Sequence, residues 1–315
     1  MRRTLTVVAL AVLVAVLGAF VVRDLPQTRD VSLARSAPGD ARIMSVVEDL
    51  RAVRKIAVPR RDDKPLSTVE GGAALEIDAG ALRIAELLDT DAPALAGRFD
   101  LLGTYRPLFS VYPLWFAATV HDVQTKRTFV QVFERSTAAD PWLLVASPEV
   151  TDAARIPDVR RVRGLVDRVA ATDDEGLAVA PDALGDVYVD ALTSGAGALA
   201  EDAFVVDQRA SAQAYANLAN IEFDRTWQAD PVRHTIRTKD GGALVVLTLR
   251  RTDTFEVAAG LSVTWPPESP ARAFFAEGIS GQGALASAHQ LLVHLPGDGA
   301  APRTIGVAGG TTGAD

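Results

Sequence analysis

Residues 231–251 read PVRHTIRTKDGGALVVLTLRR and contain the strongest structural signal in the second half of the chain. Two runs rich in β-branched residues flank Lys239–Gly242, where an Asp-Gly pair favours a tight turn with positive φ. The pattern predicts a β-hairpin. Four further segments are predicted to extend the hairpin into an antiparallel sheet: TFEVAA (254–259), LSVTW (261–265), SAHQLLVHLP (287–296) and TIGVAG (304–309). The C-terminal residues 310–315 are expected to be frayed.

The first half of the chain has helical patterns followed by strand patterns. Apolar residues recur at helical spacing in 41–56 and 74–90, which predicts two amphipathic helices. PLWFAATV (113–120) and RTFVQVFERS (127–136) are rich in β-branched and aromatic residues, and a short polar loop between them predicts a second hairpin. PWLLVASPEV (141–150) predicts a third strand.

The second half repeats this order, because helical patterns at 180–195 and 205–225 precede its strands. The arginine-rich residues 151–174 carry no strong pattern and predict a linker. The length of the chain also suits two domains better than one. The predicted organisation is an anchor or uncleaved signal (1–23), a linker (24–40), a first α+β domain (41–150), a linker (151–174) and a second α+β domain (175–310).

Helices that precede a curved antiparallel sheet resemble, in element order, the nuclear transport factor 2-like (cystatin-like) cone. The resemblance implies a sheet covered by helices, with a pocket at its wide end. The predicted fold class is therefore α+β, with an N-terminal transmembrane helix followed by two helix-then-curved-antiparallel-sheet domains.

Three stretches of the second half carry another resemblance: KDGGALVVLTLRRTDTFEV, VTWPP and HQLLVHLP. They look like the C-terminal half of a group of actinobacterial membrane-anchored or lipoprotein-like proteins of unknown function. The likeness covers about residues 175–310 and brings no catalytic motif. This chain departs from the lipoprotein members because it contains no cysteine.

The N-terminal run from Leu5 to Val22 contains no charged residue and follows Arg2 and Arg3. As a helix of 18 residues it would extend about 27 Å, close to the thickness of a bilayer core. Sites for signal cleavage near Gly18 are poor, so we expect a retained single-pass anchor with the later domains outside the cytoplasm. Secretion after signal cleavage is the alternative.

Composition excludes several functions. The net charge of −8 disfavours nucleic-acid binding, since duplex-binding domains are usually basic. The absence of cysteine excludes disulfides, iron–sulfur clusters, thiolate zinc sites and cysteine nucleophiles.

No catalytic, cofactor or metal site can be named from the sequence, and the ligand is unknown. His289 and His294 are five residues apart and therefore face opposite sides of a strand, which disfavours a shared metal. His121 is expected in a solvated turn, and His234 on an exposed sheet face. Ser194 and Ser280 lack the surroundings of a nucleophile elbow and are expected in flexible turns. The acidic run 172–176 lacks the spacing of a calcium loop and is expected to be a solvated linker.

Two clusters have more than one interpretation. The aromatic residues Tyr105, Phe109, Tyr112, Trp115 and Phe116 are expected in the core, with a pocket lining as the alternative. A basic stretch is expected on a solvated or salt-bridged face, with anionic lipid headgroups as the alternative contact. This stretch contains Arg51, Arg54, Lys55, Arg60, Arg61 and Lys64.

These observations predict a non-enzymatic, membrane-anchored binding or scaffold module of the cell envelope. We expect contact with the membrane through Leu5 to Val22, an envelope protein partner, no cofactor and no nucleic acid. The alternative is an enzyme or small-ligand-binding protein that uses a carboxylate or histidine base in an apolar cone.

Overall fold

The hairpin predicted at residues 231–251 is confirmed and lies at the centre of the second half. In the computed structural model, β11 (His234–Arg237) pairs with the start of β12 (Ala243–Val257), and Gly241 in the turn has a φ of 90°. The other edge of β12 pairs antiparallel with β13 (Gln282–Leu295). TFEVAA is therefore part of one long strand, whereas LSVTW contributes a single bridge, Val263 to Ile279.

The structure describes residues 35–91, 98–199 and 201–315. Their α-helices are α1 (Asp40–Arg60), α2 (Gly72–Leu87), α3 (Leu184–Ser194), α4 (Ala203–Ala216) and α5 (Pro270–Phe274), and short 3₁₀ turns lie at Leu66–Thr68, Ala153–Arg155 and Pro181–Ala183. The other strands are β1 (Arg35–Ser36), β2 (Phe99–Tyr105), β3 (Leu108–Phe109), β4 (Leu114–Asp122), β5 (Arg127–Arg135), β6 (Leu143–Ala146), β7 (Glu149–Val150), β8 (Arg161–Val162), β9 (Leu165–Val166), β10 (Ile221–Ala229) and β14 (Arg303–Ala314).

The predicted anchor at Leu5 to Val22 and residues 24–34 of the predicted linker lie outside the described residues. Within those residues, no helix combines the length and the apolar character needed to cross a membrane.

Strands from both halves of the chain form one antiparallel sheet. Its order is β10–β12–β13–β14–β7–β5–β4–β2, with β11 beside β12 and β6 beside β5. The halves meet where Val307 of β14 pairs with Glu149 of β7. Residues 35–315 accordingly form one compact unit, and the sheet does not break at the predicted boundary. Independent folding of 41–150 and 175–310 stays a prediction.

The predicted linker 151–174 contains residues that join the two ends of this sheet. We name residues 158–167 the closing segment. On one side, the Arg160 amide donates to the Arg237 carbonyl at 2.8 Å, and the Arg237 amide donates to the Asp167 carbonyl at 2.8 Å. On the other side, the Val166 amide donates to the carbonyl of Arg106, just after β2, at 3.0 Å. The sheet thus curves until the closing segment bridges its outer strands.

The curved sheet encloses an apolar interior built from both halves. Val130 and Val132 from the first half pack in the same cluster as Leu244 and Leu292 from the second. Val166 of the closing segment is buried in this cluster as well. The resemblance to two separate nuclear transport factor 2-like cones is not confirmed, because the two halves share one sheet and one interior.

Helices cover the outer face of the sheet. Side chains alternate along a strand, so Trp115 and Ala117 of β4 enter the interior while Phe116 and Ala118 pack against α1. Likewise Leu244 of β12 faces the interior, whereas Val245 and Leu247 face outwards and lie in the cluster covered by α3 and α4. Because both faces of these strands are buried, their sequences are uninterrupted apolar runs.

Three local features of the structure differ from what the sequence predicts. The helix predicted to end at residue 225 ends at Ala216, and strand β10 begins at Ile221, because IEFDR alternates at strand spacing. Strand β2 (Phe99–Tyr105) was not predicted from the sequence. The tail is not frayed, because the Asp315 amide donates to the Ala284 carbonyl at 3.0 Å and β14 extends to Ala314.

Helix α2 lies very close to β14. A Cβ atom on Gly80 of α2 would lie 2.3 Å from the main-chain oxygen of Thr311. Because that neighbour is backbone, it cannot rotate away, and only glycine fits without a shift of the helix.

We predict that Gly80→Ala lowers the free energy of unfolding. Alanine gains about 1 kcal/mol of helix propensity, but overpacking against backbone costs about 1–3 kcal/mol, so we expect a net loss of about 1 kcal/mol. Urea unfolding of both proteins measures the difference.

Gly310→Ala is the matched control in the same strand, since a Cβ there meets nothing within 4 Å. We expect it to be neutral or slightly stabilising. Equal effects of the two substitutions would contradict the close contact of α2 with β14.

Candidate functional site

A polar groove lies where the loop before β11 meets strands β5 and β6 and the start of α2. We name it the junction groove. It has a volume of about 350 Å³. Its charged and titratable side chains are Glu134, Asp230, Arg233, His234 and Arg250.

Glu134 and His234 form a pair across the two halves of the chain. The Nε2 atom of His234 lies 3.1 Å from Oε2 of Glu134, and the side chains are only 12% and 15% exposed, respectively. The hydrogen bond with His234 lowers the pKa of Glu134, and the positive charge of Arg233 acts in the same direction. The imidazole also packs edge-on against Trp115, with ring centroids 5.3 Å apart.

The prediction that His234 lies on an exposed sheet face is wrong. Residues of the first half cover β11 and bury the His234 side chain. A prediction of two separate domains does not include this contact. Glu134 was not singled out in the sequence either. The two residues are 100 positions apart, and no short spacing links them.

Two arginines of the junction groove differ in their partners. Arg250 binds Asp230 at 2.9 Å and Glu76 of α2 at 2.6 Å. These hydrogen bonds raise the pKa of Arg250. Arg233 is exposed and makes no salt bridge or hydrogen bond to the part of the chain that the structure describes. The groove therefore offers one cation that is available to a ligand.

The start of α2 forms another wall of the groove. Gly71 and Gly72 lie in the groove lining, and no side chain among the described residues caps the helix at Gly71. Unbonded N–H groups at a helix start carry partial positive charge. Together with Arg233, they suit a polar ligand with an acidic or carbonyl group.

The apolar interior itself has little free space. Its cavity measures about 20 Å³ and is lined by Tyr105, Trp115 and His234, among others. A cavity of this size holds about one water molecule. The expected core position of the aromatic cluster is confirmed for Tyr105, Phe109, Trp115 and Phe116, which are buried, while Tyr112 packs partly buried beside them.

A buried charge cluster lies outside the junction groove. Nε of Arg54 in α1 binds Oε1 of Glu70 at 2.7 Å, and the same guanidinium binds Asp78 of α2. The Glu70 side chain has no exposed area, and its Oε2 has no hydrogen-bond partner in the described structure. Burial raises the pKa of Glu70 to about 7, against the opposing effect of Arg54.

Shifted carboxyl groups often mark functional sites, but Glu70 is not positioned to touch a ligand. Arg54 and Asp78 line a neighbouring hollow of about 280 Å³, and Glu70 is not among its lining residues. We interpret the cluster as a structural link between α1 and α2.

The basic stretch is half salt-bridged and half solvated, as expected: Lys55, Arg60 and Lys64 are exposed. Besides Arg54, Arg51 pairs with Glu48 at 2.6 Å, and Arg61 pairs with Asp89 at 3.1 Å.

The other histidines have local partners. The prediction that His121 lies in a solvated turn is wrong, because His121 lies in β4, is partly buried and forms a hydrogen bond of 3.1 Å with Thr128 of β5. On β13, His289 packs against Phe204, while His294 lies 3.4 Å from Asp240. His289 and His294 thus occupy separate environments, and the described residues contain no cluster suited to a metal ion.

The remaining candidates are structural as well. Ser194 closes α3 by donating to the Asp190 carbonyl at 2.8 Å, so it ends a helix and does not lie in a flexible turn. Ser280 is exposed directly before β13, as expected for a turn. In the acidic run 172–176, Asp173 pairs with Arg237, so the run is not fully solvated.

The comparisons with known proteins identify a family. Residues 36–315 match the family model described as Domain of unknown function (DUF8094). The chain belongs to this family. The DUF8094 match spans both halves of the sheet and the closing segment, which agrees with one compact unit.

A similar protein is an "Uncharacterized lipoprotein" of Streptomyces avermitilis, 30% identical over 165 residues. The aligned part is 50% of this chain and 48% of the relative, so the chain spans about half the length of that protein. This relative supports the resemblance to actinobacterial lipoprotein-like proteins of unknown function. No solved structure matches the chain.

The raised pKa of Glu70 predicts a specific pH dependence. Between about pH 4.5 and 7, the folded protein keeps a proton that the unfolded chain has lost, so stability falls as pH rises. Glu70→Gln removes this penalty, because glutamine is uncharged at every pH. Relative to wild type, we expect its free energy of unfolding to rise through this window by up to about 1.4 kcal/mol per pH unit.

Urea unfolding at intervals from pH 4 to 8.5 measures this difference. Glu86→Gln, which changes an exposed carboxylate of α2, is the control. If the difference in the free energy of unfolding between Glu70→Gln and wild type does not vary with pH, burial does not raise the pKa of Glu70.

Proposed function

We propose that this member of the DUF8094 family is a membrane-tethered, extracytoplasmic binding protein that presents the junction groove to a partner in the cell envelope. The observation that carries the binding role is the groove itself. It is built from both halves of the chain, it contains a part-buried Glu134–His234 pair, and it leaves Arg233 without a salt bridge.

The proposed location is supported by two observations on the sequence. The similar Streptomyces protein is described as a lipoprotein. This chain has no cysteine to carry a lipid, but it contains the uncharged run from Leu5 to Val22. We propose that this run holds the protein in the membrane in place of a lipid.

A partner for the groove would supply an acidic or carbonyl group to Arg233 and an apolar side chain. The apolar contacts are available on Leu143, Val145 and Val246, which line the same groove. A peptide segment of an envelope protein combines both properties, since its backbone carbonyls accept hydrogen bonds and its side chains fill the apolar wall.

The Glu134–His234 pair also favours a second candidate function, that of an enzyme. A carboxylate that binds one ring nitrogen orients a histidine to act as a base through the other. Nδ1 of His234 makes no hydrogen bond within the described structure. The enzyme would act in the polar groove, because the apolar cavity is too small for a substrate.

The proposed topology can be tested with a single cysteine, because the chain has none of its own. Leu218→Cys is suitable, since Leu218 is 44% exposed. We expect a membrane-impermeant maleimide to label this variant on intact protoplasts, and we expect the protein to stay in the membrane after carbonate extraction.

The buried Val245→Cys is the control and should label only after denaturation. Labelling of Leu218→Cys only in broken cells would contradict the extracytoplasmic location. Release by carbonate would contradict the anchor.

The binding role can be tested by photo-crosslinking in cells. A photoreactive residue in place of Ser136, which is exposed in the junction groove, should give a discrete protein adduct, and the same residue at position 218 should not. Arg233→Glu should reduce the adduct at position 136 at least fivefold, because it removes the available cation.

Arg209→Glu, an exposed charge reversal on α4, should leave the adduct unchanged. Equal adducts at positions 136 and 218, or an adduct that is insensitive to Arg233→Glu, would contradict binding in the junction groove.

A further inference from the structure

One surface of the protein combines exposed aliphatic side chains with arginines that lack acidic partners. We name it the tether face. It consists of Leu108, Val111 and Val162 with Arg35, Arg163 and Arg168. We propose that the tether face rests on the headgroups of an anionic lipid bilayer, a contact that rests on the proposed anchoring by Leu5 to Val22.

The aliphatic members are unusually exposed. Val111 is 69% exposed, more than any other large hydrophobic side chain in the described residues, and Val162 is 57% exposed. Leu108 is 47% exposed. Single exposed aliphatic residues are common on proteins, so it is their grouping on one surface that points to a contact.

Main-chain and ring contacts bring the members of the tether face together. The strand that contains Leu108 pairs with β1, where Arg35 lies opposite Phe109. The guanidinium of Arg168 stacks 4.7 Å from the Phe109 ring. Val162 ends β8, and Arg163 begins the turn to β9. The hydrogen bond from the Val166 amide to the Arg106 carbonyl holds this hairpin close to β3.

The arginines of the tether face are available to an anion. Arg35, Arg163 and Arg168 are exposed, and none forms a salt bridge within the described residues. Two acidic residues in adjoining parts of the fold are already engaged, because Thr104 donates to Asp40 at 2.9 Å and Arg160 pairs with Asp167. Cations beside exposed aliphatic residues match the interface of an anionic bilayer, where headgroups neutralise the cations and the aliphatic residues enter the acyl boundary.

The position of the tether face in the chain favours a bilayer over another partner. Arg35 is the first described residue and belongs to this face. Only 12 residues separate it from Val22, the end of the uncharged run, and 13 peptide steps span at most about 45 Å. The chain therefore leaves the folded unit for the proposed anchor from this surface.

The basic stretch considered in the sequence is less suited to this contact. Helix α1 has 21 residues and is about 31 Å long. It carries Arg60 far from Asp40, which lies beside the tether face through its bond to Thr104. Several arginines of that stretch are also held in salt bridges.

The test uses the full chain with a single cysteine, Val111→Cys, labelled with an environment-sensitive fluorophore and reconstituted into vesicles. In vesicles with phosphatidylglycerol, we expect a blue-shifted emission and quenching by nitroxide-labelled lipids. In vesicles of phosphatidylcholine alone, we expect quenching at least twofold weaker. The same label at Leu218→Cys, which is 44% exposed on another surface, should not be quenched in either.

A charge variant separates docking from anchoring. Arg163→Gln with Arg168→Gln on the Val111→Cys background should reduce quenching at least twofold, while the protein still sediments with the vesicles after carbonate treatment. Both positions are exposed, so a normal thermal unfolding transition is expected and confirms the fold.

Three outcomes would overturn the proposal, and they have different meanings. If the chain stays in the vesicles but the label at 111 is not quenched, anchoring stands and docking is wrong. If labels at 111 and 218 are quenched equally, the orientation is wrong. If the chain does not stay in the vesicles, the anchor fails and the docking proposal fails with it.

Discussion

The closing segment holds the curved sheet together by bridging its two ends. Its main-chain hydrogen bonds to Arg237 on one side and Arg106 on the other hold the outer strands of the sheet together. The sheet is curved as a result, and it encloses one apolar interior that contains side chains from both halves. Without these bonds, strand β11 and the end of β2 would present unpaired edges, and the interior would be open to water.

The junction groove follows from this closure, whereas the buried charge cluster around Arg54 forms within the first half. Bringing β11 next to β5 places Glu134 and His234 within 3.1 Å of each other. Packing α2 against the second half brings Glu76 to Arg250. Within the first half, the packing of α1 on α2 brings Asp78 to Arg54, and Glu70, just before α2, binds the same guanidinium. Buried charges of this kind are costly unless they are paired. The junction groove thus carries polar contacts at a seam between the halves, and it includes a cation, Arg233, that makes no salt bridge to the described residues.

The sequence predicts the elements of the fold better than their arrangement. The Asp-Gly hairpin, the strands around residues 113–136 and the first two helices follow from local patterns, and the structure contains them. Strand β2 was missed because FDLLGTY contains polar and glycine residues at positions that are only partly buried. The shared sheet was missed because a single bridge, Val307 to Glu149, joins the halves and has no local signature. Glu134 and Glu70 look like ordinary surface carboxylates in the sequence, and only their distant partners give them a role.

The place of β14 in the sheet has a consequence for how the protein is made. This strand follows all the other described strands in the chain, yet it lies between β13 and β7. A growing or translocating chain can therefore form its early helices and hairpins, but it cannot join the two halves until residues 303–314 have arrived. Until then, the edges of β13 and β7 and the apolar interior are exposed, a state in which slow, non-local strand pairing is vulnerable to aggregation. Assembly of the complete sheet is therefore a late event in folding.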